Sequence, residues 1–310
     1  MNAVTFLILY AVALSWLAPA LLHSSLAAEL PPRLSVAGWL VTVGTALSAW
    51  MGALGILIVG SAKSLITNTA LTFCVGTLGI TNAVLLPRTA ATVLVVALLT
   101  VTAAVAVETT RRVILALGRT RRSNRDHVEA VQIIGRPTDH DGVVAVSADR
   151  PTAYCVTGGR RSAIVVTTAA LDLLTPAGLA AVLAHERAHL RGRHHHIIAT
   201  LNALAAALPR LPLMRAAACS VPPLLEMCAD DAASRRHGRA PLLTSLVALS
   251  TRHRLPEGAL AAAGTAVVER AVRLTGTAPQ YGHWPRAAAL ALLAATALTA
   301  PTVAVLLCTL

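Results

Sequence analysis

Along the 310-residue chain, long apolar runs give way to one mixed, polar stretch and then return. Four runs reach or approach the ~20 residues that a helix needs to cross a bilayer: residues 3–22, 36–60, 90–107 and 287–308. Trp284 and Arg286, just ahead of the last run, suit a membrane–water interface. No Lys or Arg precedes the first run, and its apolar core is long for a signal peptide, so it reads as an uncleaved span. Residues 64–86 are apolar but interrupted by Thr, Asn and Gly, which predicts an amphipathic or loosely folded loop and not a fifth span.

Between the third and fourth runs the period changes. "AVQIIGRP", "GVVAVSAD", "TAYCVTG" and "SAIVVTTAAL" alternate or run with β-branched residues between turn signals, and predict short strands. Thr175 and Pro176 then open a helix, Thr as N-cap and Pro at the first helical position. It continues through "AGLAAVLAHERAHL". The expected architecture is a mainly α membrane protein of about four transmembrane helices with an inserted α+β domain. Its parts are a membrane region (1–107), a water-facing domain (108–286) and a C-terminal transmembrane helix (287–310).

Charge orients this arrangement. The chain carries 26 Lys/Arg against 14 Asp/Glu, and only three of the 26 lie in the first 107 residues. The basic run "RRVILALGRTRRSNR" (111–125) follows the third span directly. By the positive-inside rule the protein is multi-pass in the cell membrane, with the 108–286 domain cytoplasmic and both ends outside. The same charge draws the domain towards anionic headgroups of the lipid bilayer. Aromatic residues make up 3% of the chain, too few for stacking platforms, so direct nucleic-acid binding is not expected. Cys74, Cys155, Cys219, Cys228 and Cys308 form no CxxC pair, which fits burial or a reducing compartment. Cys228 is expected to pack on a buried helix face.

The chemistry concentrates in "AHERAHLRGRHHH" (184–196). His185 and His189, four apart on a helix, stack on one face and can grip a single Zn²⁺. Glu186, one step round, can take a proton from water held there. A third ligand can come from two places. Gly192 and His195 extend the motif to HExxHxxGxxH, in which the helix stops and His195 swings back. Alternatively Glu226 in "LLEMCADDAASRR" faces the metal, and Asp230 one turn later accepts the free ring N–H of a zinc-bound histidine. Residues 194–209 remain apolar and helix-compatible, so Gly192 need not end the helix, and neither Met214 nor Met227 sits in a convincing Met-turn. The second arrangement is therefore expected.

The stretch "GRRSAIVVTTAALDLLTPAGLAAVLAHERAHLRGRHH" with the later "EMCADDAA" resembles the integral-membrane zinc peptidases of the BlaR/MecR type. So does the order of spans. That resemblance implies a gluzincin-like, zincin-fold endopeptidase with one Zn²⁺ per chain. His185, His189 and Glu226 would hold the metal, Glu186 would be the catalytic base, and Asp230 would support a histidine from behind. It also implies a regulatory protease whose protein substrate is a transcriptional repressor of the BlaI/MecI kind. The sequence ends at Leu310, so the extracellular sensor of the antibiotic-sensing members is not expected, and the resemblance is to the short, sensorless actinobacterial members. Two alternatives stand beside it: a non-proteolytic signal transducer with a structural zinc domain, and a membrane protease of the HtpX/CAAX type.

Other residues carry weaker expectations. "SAIVVTT" (162–168) is either an edge strand that pairs with extended substrate, as in zincins generally, or a buried strand. His194, His195 and His196 read by default as a solvated helix end near the membrane, with a cluster supporting the metal ligands or an adventitious metal site as alternatives, and Asp231 reads as solvent-facing. Tyr281 and His237 are open options for stabilising a tetrahedral intermediate.

Overall fold

The structure is a computed structural model and describes residues 3–23, 30–66, 88–159, 161–251 and 260–276. The chain divides into two compact units. One holds the chain up to Ile114 together with Ala203–Ala218; the other holds Leu115–Asn202 and the chain from Cys219 through the last described helix.

In the first unit, helix α1 (Ala3–Leu22) packs on helix α2 (Pro32–Ile66) through Leu7, Ala11, Ala49 and Ala53. Small side chains at the contact let the two backbones approach closely. Ser15, fully buried, donates to the Ala11 carbonyl at 2.6 Å and accepts from Trp50 Nε1 at 3.3 Å, which ties the helices across their seam. Among the described residues two helices are long and apolar enough to cross a membrane, Ala3–Leu22 and Pro32–Gly60. Most of their apolar surface lies outside the pair, which supports membrane association.

Residues 90–107, expected as a separate span, are the opening of one 47-residue helix, α3 (Arg88–Ile134). It runs on through the basic residues 111–125. The expected last span (287–308) and most of the expected loop at 64–86 lie outside the described residues.

The second unit is built on a four-stranded sheet, β1 (Arg136–Pro137), β2 (Val143–Val146), β3 (Ala153–Gly158) and β4 (Arg161–Thr167), in the order β1-β2-β4-β3. β4 runs parallel to β2 and antiparallel to β3. The strand expected at "AVQIIGRP" is instead helical as far as Ile134, with only Arg136 and Pro137 joining the sheet. Its apolar residues decide this: Val128 and Val131, three apart, are buried against Val156, Ala163 and Val165, while Ile133 and Ile134 are exposed. That spacing is a helix face; a strand would have buried alternate residues.

Across the opposite face of the sheet, Val143, Ile164 and Val166 pack with Ala170 of the short helix α4 (Thr168–Leu173) and Leu183 of α5 (Pro176–Arg191). Thr175 caps α5 as its sequence predicts: its Oγ1 accepts from the Gly178 amide at 3.1 Å, with Pro176 at the first position. A Cβ on Gly178 would lie 2.5 Å from Oγ of Ser245, so α8 (Arg239–Thr251) approaches α5 more closely than any side chain there would permit. Helices α6 (His194–Ala207), α7 (Pro212–His237) and α9 (Leu260–Leu274) complete the described elements.

Gly192, which by its sequence need not end α5, does end it. The helix stops at Arg191, Gly192 caps it, and Arg193 takes a left-handed φ of 50° before α6 begins.

Candidate metal centre

Helix α5 brings His185 and His189 one turn apart, both buried, with their Nε2 atoms 3.1 Å from each other. From α7, Glu226 presents Oε2 at 3.4 Å to His185 Nε2 and Oε1 at 3.4 Å to His189 Nε2. Tetrahedral zinc with ligand bonds of ~2.0–2.1 Å requires donor–donor separations of about 3.3 Å. Each imidazole nitrogen faces a different oxygen of the Glu226 carboxylate, and one donor atom from each of the three residues lies within 4.8 Å of the others, a set suited to hold one ion. Among the described residues this is the group of three donors close enough to share one ion. His195 stays outside it, with its ring against His196 at 4.0 Å.

The remaining atoms of each ligand are also held. His185 Nδ1 faces Asp230 Oδ1 at 3.0 Å. Asp230, among the most buried side chains, receives Arg270 of α9 in a two-pronged contact, Nε at 2.7 Å and Nη2 at 2.8 Å. The third nitrogen of the same guanidinium lies 3.0 Å from Glu226 Oε2. One arginine therefore braces both acids of the α7 pair. Asp231, expected in solvent, is instead gripped by Arg273 at 2.6 and 2.9 Å, because α9 places a second arginine one turn beyond the first.

Electrostatics follow from this crowding. Burial by itself would lower the pKa of His185, but the carboxylates of Asp230 and Glu226 outweigh it and raise the value to about 9. Burial would raise Glu226, yet the contacts with His185 and His189 hold it well below the usual carboxylate range. Asp230 is likewise lowered, with burial overcome by Arg270 and His185. Glu186 goes the other way: desolvation pushes it up, against a smaller pull from His185 and His189. A buried carboxyl with a raised pKa is suited to accept and return a proton near neutral pH.

Two further residues approach the centre, Cys155 and His194. Cys155 on β3 places its thiol on Glu186, and burial plus that carboxylate raise its pKa to about 12, so the S–H stays protonated and donates. His194, expected in solvent, is buried, and its Nδ1 lies 2.9 Å from Nδ1 of His189. The turn at Gly192 and Arg193 causes this, since it folds the start of α6 back over the end of α5. Of the two open options for the intermediate, Tyr281 lies outside the described residues. His237 lines a separate cavity of about 160 Å³ with Arg187, Arg191 and Arg236.

A helix-borne His-Glu-x-x-His beside a small sheet, with a carboxylate from a later helix, is a donor set suited to hold zinc with an acid–base carboxylate beside it. Residues 118–221, about a third of the chain, match peptidase family M48, a family of zinc metalloproteases. The matched stretch contains His185, Glu186, His189 and His194 and ends before Glu226. It supports a metalloprotease and does not extend to the BlaR/MecR type. No curated protein and no solved structure matches the chain.

Proposed function

We propose that this chain is a membrane-anchored zinc endopeptidase acting on protein substrates, with one Zn²⁺ held by His185, His189 and Glu226. The observation that carries the reading is the convergence of the two imidazole nitrogens, 3.1 Å apart, on the Glu226 carboxylate, whose two oxygens each lie 3.4 Å from one of them. Zinc bound there would polarise a peptide carbonyl and acidify a water molecule. Glu186, next to the ligands and raised by burial, takes the proton from that water and returns it to the departing amine. Cys155 orients the Glu186 carboxylate by donating its S–H. Asp230 fixes the ring of His185, and Arg270 keeps Asp230 and Glu226 ionised and in place.

The strand β4, with five consecutive buried residues between β2 and β3, is interior and cannot receive a peptide along its edge. Among the described residues β3 is one edge of the sheet and β1 the other, and β3 carries the Cys155 that touches Glu186. An extended substrate would add to β3 as a further strand, which brings its backbone alongside the base.

The basic run after residue 110 supports a cytoplasmic zinc domain in a multi-pass cell-membrane protein. The BlaR/MecR resemblance supports a regulatory role with a BlaI/MecI-like repressor as substrate. Because the family match stops at the peptidase, the HtpX/CAAX-type reading stands beside it. A reporter-fusion topology map separates the two: three spans ahead of the zinc domain and one after it favour the first.

The central test is Glu186→Gln in the full-length protein. It should keep zinc and lower proteolysis by on the order of 10²- to 10⁴-fold. Full activity in that variant would sink the mechanism. A biological effect that survives it but not His185→Ala would favour a non-proteolytic transducer. The same variant, used as a trap, identifies the substrate by mass spectrometry.

A further inference from the structure

The two histidines of the centre are supported in different ways. His185 has a carboxylate behind it, Asp230, whereas His189 has a second imidazole. The contact between His189 and His194 joins Nδ1 to Nδ1 at 2.9 Å, with the rings nearly perpendicular at 88° and both residues buried. One proton must lie between those atoms. If His194 carried it, the other proton of a neutral His189 would sit on Nε2, the atom that faces His185 and Glu226, and the metal position would be blocked. If His189 carries it, Nε2 is left bare and aimed at the ion.

We infer that His194 is a positioning residue for His189: its Nδ1 accepts the His189 Nδ1–H, and this fixes the tautomer that leaves Nε2 free for metal. The inference rests on the reading of His185, His189 and Glu226 as a metal triad. A neutral acceptor suits this side of the centre. Glu186, Glu226 and Asp230 already place three carboxyl groups around two imidazoles, and a fourth buried carboxylate would add a charge lacking a counterion.

The backbone is shaped for the contact. A Cβ on Gly192 would meet Nε2 of His194 and lie 2.5 Å from its Cδ2, so the ring lies across that glycine. Gly192 itself has an ordinary φ of −75°, so what the position needs is space and not backbone freedom. Arg193 then adopts φ 50°, a conformation that non-glycine residues take rarely and usually where surrounding structure demands it. A strained residue, a bare glycine and a buried ring together serve one hydrogen bond.

The test uses full-length protein in detergent, with zinc affinity measured against a chromogenic chelator. The tautomer of His189 is read by ¹⁵N NMR of histidine-labelled metal-free protein, its signal assigned by loss in His189→Gln. His194→Leu, which offers no acceptor, should weaken zinc binding ten- to a hundredfold and mix the His189 tautomers. His194→Asn, whose side-chain oxygen accepts the same proton, should restore affinity to within a few-fold and restore a single Nδ1–H tautomer. A purely packing role would not separate these two. Gly192→Ala leaves His189 and His194 chemically intact but displaces the ring, and should resemble His194→Leu; it decides the matter if the leucine variant does not fold.

Wild-type affinity with an unmixed Nδ1–H signal in His194→Leu or Gly192→Ala would overturn the inference, as would an asparagine variant no better than leucine. If wild-type protein bound no zinc at all, the metal reading would fall. The tautomer comparison in metal-free protein would still judge His194.

Discussion

Zinc should have to displace a proton from His185 throughout the neutral range. In the metal-free centre, Asp230 and Glu226 hold that imidazole protonated, with a pKa of about 9 against an ordinary 6.5. At pH 7 the neutral, metal-binding form is then about one molecule in a hundred, an affinity penalty of roughly 3 kcal/mol. Apparent zinc affinity should therefore rise about tenfold per pH unit from pH 6.5 towards 9, then level off. An ordinary imidazole would level off near 6.5. Isothermal titration calorimetry at pH 8, repeated in buffers of different ionisation enthalpy, counts the released protons directly: about 0.9 per zinc is expected from His185, against about 0.03 for an unperturbed histidine. The linkage has a matching sign in folding. A raised folded-state pKa contributes stability that is complete below 6.5 and lost as pH rises through about 9, so the metal-free protein should weaken by roughly 3 kcal/mol across that window. A flat affinity between pH 7 and 9 with no proton release would refute the argument and show that the two carboxylates do not charge His185.

Three further outcomes follow from particular contacts. Arg270→Met strands the buried Asp230 and should cost ~3–5 kcal/mol in denaturant unfolding of the metal-free protein; a loss under ~1 kcal/mol would mean that the pair is not structural. Gly178→Ala should destabilise by ~1–3 kcal/mol through the clash with Ser245, and adding Ser245→Ala should recover most of it, as read from thermal midpoints. Cys155→Ala removes the donor that lowers Glu186, so the acid limb of the kcat/KM profile should move to higher pH; an unmoved limb would show that the thiol does not orient the base.

What the sequence made legible follows from the range of the interactions involved. The capped start of α5 and the one-face spacing of His185 and His189 are local, set by residues within four of one another, and could be read directly. Glu226 and Asp230 could be paired by the same spacing, although the fold was needed to bring them beside α5. The strand at residues 130–137 was misjudged because Val131, Ile133 and Ile134 satisfy a β-branched pattern, while the helical partner of Val131 is Val128 in the preceding turn. The break at Gly192 stays undecided in the sequence because its cause is a ring two residues onward, and apolar residues on both sides fit a continuous helix equally well. Arg270 was invisible for a different reason. It lies 40 residues beyond Asp230, and nothing in "VVERAVRL" distinguishes an arginine that braces a metal centre from one in solvent.

The outer edge of β3 has a consequence for what a peptidase with this site would cut. A strand edge recognises main-chain amides, which every polypeptide possesses, and a folded polypeptide has already committed most of them to its own helices and sheets. Recognition at such an edge is therefore a filter on the conformation of the target before it is a filter on its sequence. Frayed termini, long exposed loops and segments released from a broken partner would enter, while the same residues inside an intact helix would not.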